Sequence, residues 1–191
     1  MNDVAVVVLA GGRATRFPNK LAQFVDGTPL LARVCSNACG AGWPVYVAGS
    51  DRFSPAIAHD LRIPLLTDRW PGGGPLRALF SACETLPYAR VFALAGDEPN
   101  VGADLLKSLA QAWRPGDDAV IPRHDRRIEP LAALYLREAV VRETPAVLVS
   151  GIASMRALIA RLRPRFVSVA GTFFANVNTP ADVSRIESAA P

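Results

Sequence analysis

Residues 4–12 read Val4-Ala5-Val6-Val7-Val8-Leu9-Ala10-Gly11-Gly12. An unbroken apolar run of this length, β-branched in its middle, suits a central strand buried on both faces rather than a strand with one wet side. The adjacent glycines directly after it let the backbone turn sharply and approach a ligand closely, aiming N–H groups at anionic oxygens. A buried first strand running into a glycine loop is how an open α/β sheet begins. The run is too short to cross a membrane and carries no positive charge ahead of it, so it reads neither as a span nor as a signal peptide.

Outward from that strand, short apolar runs alternate with helical patterns, the mark of a mostly parallel sheet covered by helices on both faces. Leu30, Leu31, Val34 and Ala38 recur at helical spacing within 29–39. Strands are expected at 44–48, 63–66 and 91–95, with helices at 55–61, 75–85 and 105–113 between and after them. A further strand is expected at 118–121. After residue 122 the alternation loosens, leaving strands at 130–135 and 165–169 and an amphipathic helix at 153–162. Thr179-Pro180 opens a last helix, threonine as N-cap and proline as first helical residue. There is no repeat or linker, so 1–191 is expected to form one domain.

Half the residues are apolar and a fifth charged, an ordinary globular balance, and the net charge is +4. Lys20 and Lys107 are the only lysines; the rest of the positive charge is arginine. That bias could reflect a phosphate-rich partner, but genomic codon usage explains it more simply. The arginines are scattered, with a loose cluster at Arg123, Arg126 and Arg127, and no basic arm argues for nucleic acid. Three cysteines cannot form a disulfide framework. Cys35 and Cys39 are four apart in an apolar helical stretch, expected to share a buried face, with no histidine near enough to suggest zinc. A cytoplasmic protein without a membrane segment is the expectation.

The chemistry-bearing residues gather where expected strands end. Arg16 and Lys20 follow the Gly11-Gly12 loop and add positive charge to it. The loop is neither a dinucleotide fingerprint nor a P-loop, because its glycines are adjacent and Lys20 is not followed by Ser or Thr. Lys20 is expected to be an exposed loop lysine. Asp97, presented by Gly96 at the end of the fourth strand, stands where open α/β sheets place ligands. A single carboxylate there suits a magnesium ion that takes its other ligands from water and phosphates; an aspartate opening a turn would stand in the same place. Asp68 ends the third strand, where it could accept from a ribose or base, or begin a turn. The run Trp70-Pro71-Gly72-Gly73-Gly74-Pro75 leads into a helix whose N-terminus would face the same crevice. Both histidines, His59 and His124, lie away from these motifs in the chain.

Together, LAGGRATRF…NK, TD before GGGPLRAL, ALAGDEPN, IEPLAALY and FANVNTPADV stand in the order of the molybdenum cofactor guanylyltransferases, the MobA family of NTP transferases. The resemblance runs from Val4 to about Ile186. It implies a Rossmann-like three-layer α/β/α sandwich of the nucleotide-diphospho-sugar transferase type. It further implies that Leu9, Ala10, Gly11 and Gly12 form the nucleotide loop with Gly74, that Lys20 meets the triphosphate, and that Asp68 contacts guanosine. Asp97 would bind Mg2+, Arg16 and Lys20 would stabilise departing pyrophosphate, and Asn176 and Asn178 would lie on the pterin side. The implied reaction moves GMP from GTP to the phosphate of molybdenum-loaded molybdopterin. The implied onward partners are molybdoenzyme apoproteins or their chaperones.

Three departures stand out. Where the family usually has Arg-Met-Gly-x-Asp-Lys, this chain has Arg16-Phe17-Pro18-Asn19-Lys20, and Ala48 replaces an asparagine near the base. Glu98-Pro99-Asn100 replaces an apolar-aromatic pair after Asp97. The rival readings are a cytidylyltransferase or other NTP transferase, whose first loop tends to read Leu-Ala-Ala-Gly, a sugar-phosphate nucleotidyltransferase, and a non-catalytic nucleotide-binding module. Gly12 leaves room for a purine, and the retained Lys20 and Asp97 argue for catalysis.

Overall fold

Val4–Leu9 forms strand β1, and all six residues are buried, as its apolar run requires. The computed structural model describes residues 3–10, 20–49, 54–67, 69–70, 73–174 and 182. After β1 come β2 (Phe24–Val25), β3 (Thr28–Pro29), α1 (Leu30–Cys39), β4 (Val45–Ala48), α2 (Ser54–Asp60) and β5 (Leu65–Leu66). Then follow α3 (Pro75–Thr85), β6 (Arg90–Ala95), α4 (Ala103–Ala112), β7 (Ala119–His124), β8 (Arg127–Ile128) and β9 (Ala132–Leu136). Helices α5 (Arg137–Val149) and α6 (Met155–Ile159) and strand β10 (Pro164–Ser168) come last among the described strands and α-helices.

The main sheet has the order β10-β7-β9-β6-β1-β4-β5, with β8 beside β7. β1 runs parallel to β4 and β6, β4 to β5 and β7 to β10, while β9 lies antiparallel between β6 and β7. The expected mostly parallel α/β sheet is therefore present. The chain builds outward from β1 to β4 and β5, then returns to place β6 on the other side of β1. That reversal opens a crevice beyond the carboxyl ends of β1 and β6.

Side chains of β1 alternate between two cores. Val7 and Leu9 pack with Leu76, Leu79 and Cys83 of α3, Val140 of α5 and Leu158 of α6. Val6 and Val8 pack with Leu31 and Val34 of α1 and Leu105 and Leu109 of α4. Helices thus cover both faces, the three-layer arrangement expected. Each such side chain contributes about 1.5–3 kcal/mol when fully removed from water. Among the described residues no helix is long and apolar enough to cross a membrane.

Several expectations need correction. Cys35 is buried but Cys39 is exposed, because it is the last residue of α1, where the helix has run past the sheet. The third strand shortens to Leu65–Leu66 because Ile63 closes α2 instead. Its N–H donates to the Ala58 carbonyl at 2.8 Å, with Arg62 in the left-handed region at φ 55°. The helix expected at 153–162 narrows to Met155–Ile159, and α5 fills a stretch in which no element is expected. The helix expected from Thr179-Pro180 lies outside the described residues.

Paired charges fasten the sheet edge at β10. The Asp118 carboxylate is buried and accepts from Arg163 Nε at 3.0 Å, Arg163 Nη2 at 3.1 Å and the Arg163 backbone N–H at 3.1 Å. The Arg163 guanidinium thereby holds the Asp118 carboxyl below the usual carboxylate range. A lowered folded-state value adds stability above the unfolded value of about 4 that is lost as pH falls through the folded value. Asp118→Asn is expected to cost about 1–2 kcal/mol at pH 7, kept modest because the Arg163 side chain is 71% exposed. In urea melts the difference from wild type should shrink below about pH 4; a difference independent of pH would contradict the pairing.

Candidate active site

The crevice takes its floor from backbone. Leu9 pairs with Ala95 across β1 and β6, Ala10 N–H donates to the Ala48 carbonyl at 2.8 Å, and Gly96 N–H donates to the Leu9 carbonyl at 3.1 Å. The side chains of Leu9 and Ala10 are buried and their main chain is engaged with Ala48 and Gly96, so these residues root the loop that follows in the sheet. Gly11, Gly12 and Arg16, expected to continue this loop, lie outside the described residues.

Gly96 sits in a close approach where a side chain would be crowded. A Cβ there would stand 3.2 Å from the Leu9 carbonyl oxygen and 3.3 Å from Leu21 Cδ2. Its smallness lets the strand end turn and present Asp97. Beyond it, Asn37 Nδ2 donates to the Pro99 carbonyl at 2.7 Å and Asn100 Nδ2 to the Thr172 carbonyl at 3.3 Å. Glu98 is buried within this turn. Sequence reasoning missed Asn37 as a brace for the Asp97 loop; one asparagine in an amphipathic helix carries no signal for it.

Lys20 opens a 3₁₀ turn, Lys20–Ala22, which is anchored where Leu30 N–H donates to the Gln23 carbonyl at 2.8 Å. The turn delivers the Lys20 ammonium to the Asp97 carboxylate, and the two form a hydrogen-bonded ion pair. This corrects the expectation of an exposed lysine, since its side chain is only 12% exposed. Two residues singled out separately in the sequence are therefore one unit. A carboxylate already holding a cation against it fits a hard divalent ion. Among the described residues no three of His, Cys, Asp or Glu converge, so an ion at Asp97 would draw most of its shell from water and phosphate oxygens, as magnesium does.

Gly74 precedes α3 at φ 82°, a conformation that favours glycine, and no described side chain caps the helix. The N–H groups of Leu76 and Arg77 in the first turn of α3 can therefore serve a ligand, since Pro75 has none and that of Ala78 goes to the Gly74 carbonyl. Gly73 serves space: a Cβ would lie 2.8 Å from the Trp70 carbonyl oxygen. Trp70 stacks on Phe80 with ring centroids 5.5 Å apart. Ser81 Oγ takes the Arg69 N–H at 3.3 Å and donates to the Thr67 carbonyl at 3.3 Å, pinning both sides of position 68 to α3. Asp68 itself, like Asn176 and Asn178, lies outside the described residues.

The IEPL segment borders the crevice, since Ala95 N–H donates to the Leu131 carbonyl at 2.8 Å. His124, read as lying away from the motifs, in fact stands just before the IEPL segment and meets it across the β7–β8 turn, with Nε2 2.7 Å from Glu129 Oε1.

Residues 6–166 match the family model described as the MobA-like NTP transferase domain. The chain is similar to a probable molybdenum cofactor guanylyltransferase of Methanothermobacter thermautotrophicus, 30% identical over 197 residues spanning 94% of this chain and 96% of that protein. A protein of the same description from Bacillus cytotoxicus is 25% identical over 195 residues, spanning 97% of each. Among solved structures, molybdopterin-guanine dinucleotide biosynthesis protein A of Archaeoglobus fulgidus superposes with a TM-score of 0.77 at 24% identity, covering 97% of this chain and 96% of that one. A CMP:2-keto-3-deoxy-manno-octonic acid synthetase bound to CTP superposes with a TM-score of 0.80 at 16% identity, covering 97% of each. The two structures share the fold with this chain.

Proposed function

The chain belongs to the MobA-like NTP transferase family, and from that premise we propose that it is a magnesium-dependent guanylyltransferase, moving GMP from GTP to the phosphate of molybdenum-loaded molybdopterin. The observation that carries the reading is the meeting of Lys20 and Asp97 at the carboxyl ends of β1 and β6. There an ammonium and a carboxylate can divide a metal-bound triphosphate between them. The enzyme would act as a single cytoplasmic domain and hand its product to molybdoenzyme apoproteins or their chaperones.

An acceptor phosphate oxygen attacks the α-phosphorus of GTP, the bond from that phosphorus to the β-phosphate oxygen breaks, and pyrophosphate leaves with the electron pair. The nucleophile is already anionic, so no side chain need remove a proton. Catalysis then rests on positioning and charge. Leu9, Ala10, Gly11 and Gly12 would form the nucleotide loop, with the N–H groups beyond Ala10, whose own is taken by Ala48, and those after Gly74 holding the phosphates and Asp68 the guanosine. Asn176 and Asn178 would orient the acceptor, and Arg16 and Lys20 would stabilise the departing pyrophosphate. Magnesium held by Asp97 and the triphosphate oxygens would offset the repulsion between the two anions.

Base choice tests the guanylyl part. Ala48 is buried at the end of β4 with its carbonyl engaged by Ala10 N–H, and its methyl cannot hydrogen-bond a base. The missing side-chain bonds remove about 1–2 kcal/mol of discrimination, roughly tenfold. GTP is expected to outcompete CTP in the wild type, by a smaller margin than a site with asparagine at that place would give. Gly12→Ala should hurt GTP far more than CTP, because the added Cβ takes room a purine needs. If the wild type prefers CTP, or the variant loses both nucleotides equally, the assignment reverts to a cytidylyl or general NTP transferase.

A further inference from the structure

β7 and β10 run parallel and end together on the same sheet edge as β1 and β6, with Arg123 paired to Ser168. Beyond them lies a cavity of about 520 Å³ lined by Arg123, His124, Asp125, Arg126, Ser168 and Val169. Following the register through β9, Ala119 stands level with Val91 and Val120 with Phe92. Arg123 is therefore level with Ala95 and two strand spacings away, roughly 10 Å. The cavity sits beside the crevice, on the side away from β4.

Among the described residues its positive charge has no side-chain partner. Arg163, Arg165 and Arg161 on neighbouring elements are bound to Asp118, Asp117 and Glu143. The side chains of Arg123 and Arg126 are exposed and form no hydrogen bond or ion pair with another described residue. The one carboxylate in the lining, Asp125, is 92% exposed and well screened by water. The wall behind is fixed. His124 is held between Glu129 and the ring of Phe174, which stacks on it at 4.8 Å, and its Nδ1 is buried without a hydrogen bond. Asp125 and Arg126 turn β7 into β8 at φ 42° and 64°, a left-handed pair assembled here without glycine. Strained turns of this kind cluster at ligand sites.

We propose that this cavity is a subsite for an oxyanion group of the acceptor, remote from the phosphate that reacts, with Arg123 and Arg126 as its donors. The inference rests on the nucleotidyl-transfer reading. The reacting phosphate must reach the α-phosphorus near Asp97, so a group gripped about 10 Å along the sheet edge is another part of the same molecule. Two guanidiniums and the Ser168 hydroxyl suit a second oxyanion, carbon- or metal-borne, because arginine forks match such oxygens two at a time.

The test is the double variant Arg123→Gln/Arg126→Gln, which should melt like wild type because both side chains are exposed. Its KM for molybdenum-loaded molybdopterin should rise about tenfold or more, equivalent to ~1.4 kcal/mol, with kcat and the KM for GTP held within about twofold. An unchanged acceptor KM beside an active wild type overturns the subsite. So does an equal rise in the KM for GTP, which would assign the guanidiniums to the triphosphate. A wild type that transfers no GMP defeats the functional reading instead, and a molybdate titration followed by amide NMR then decides the subsite. Shifts at Arg123, His124 and Ser168 that vanish in the double variant sustain it, and their absence from the wild type overturns it.

Discussion

Asp97→Asn is expected to fold normally and to lose nucleotidyl transfer by about a thousandfold or more. The substitution keeps the shape of the side chain and removes its charge. Stability should change little, because the ion pair with Lys20 is partly open to water, with 27% of the Asp97 side chain exposed, and such pairs contribute about 1 kcal/mol or less. Transfer should suffer far more. A neutral amide is a poor ligand for a hard divalent ion, and without that ion two highly charged phosphates must approach each other unshielded. The asparagine can still accept from Lys20, so the loop should keep its place and the loss should be one of chemistry. Pyrophosphate release from GTP and acceptor, measured beside a melting curve, separates the two effects. A variant turning over within about tenfold of wild type would remove Asp97 from the metal role.

What the sequence could announce was whatever repeats locally. β1 is legible because burial on both faces demands an unbroken apolar run, and α3 because Pro75 follows Gly74 at a helix start. The position of Asp97 is legible because it directly follows a buried apolar strand, at the carboxyl end where open α/β sheets place ligands. The hairpin β2–β3 carried a signal in Asp26-Gly27, both at positive φ, the pair that favours a tight two-residue turn. β8 carried none, since Asp125-Arg126 makes the same kind of turn without glycine. α5 was hidden by Pro145 within the helix, a residue that ordinarily argues against one. The Lys20–Asp97 contact spans 77 residues and is set by tertiary packing alone, so no local pattern could disclose it. The His124–Glu129 contact spans only five residues, but it depends on the β7–β8 turn, which carries no glycine to announce it. Gly11, Gly12, Arg16, Asp68, Asn176 and Asn178 are motif residues whose reading rests on the sequence, because they lie outside the described residues.

Lys20→Met should weaken binding of GTP with magnesium by about thirty- to a hundredfold, the worth of one or two charged hydrogen bonds at ~2–3 kcal/mol. Methionine keeps most of the apolar stem, which matters because the Lys20 side chain is largely covered. The loss can then be ascribed to the ammonium. In the free protein that ammonium is occupied by Asp97, so on the proposed reading binding would exchange one pairing for another, Asp97 turning to the metal and Lys20 to phosphate oxygens. Two consequences follow from the exchange. Freeing Asp97 in Lys20→Met should leave the carboxylate at least as available to magnesium as before. The losses of Lys20→Met and Asp97→Asn in transfer rate should also fall well short of additive in the double variant, as they do for groups that act as a unit. Isothermal titration of GTP with magnesium supplies the affinities, and kcat/KM for the two singles and the double supplies the cycle. Fully additive losses would mean the two residues act independently. Unchanged affinity and rate in Lys20→Met would reduce the lysine to a tether that orients Asp97.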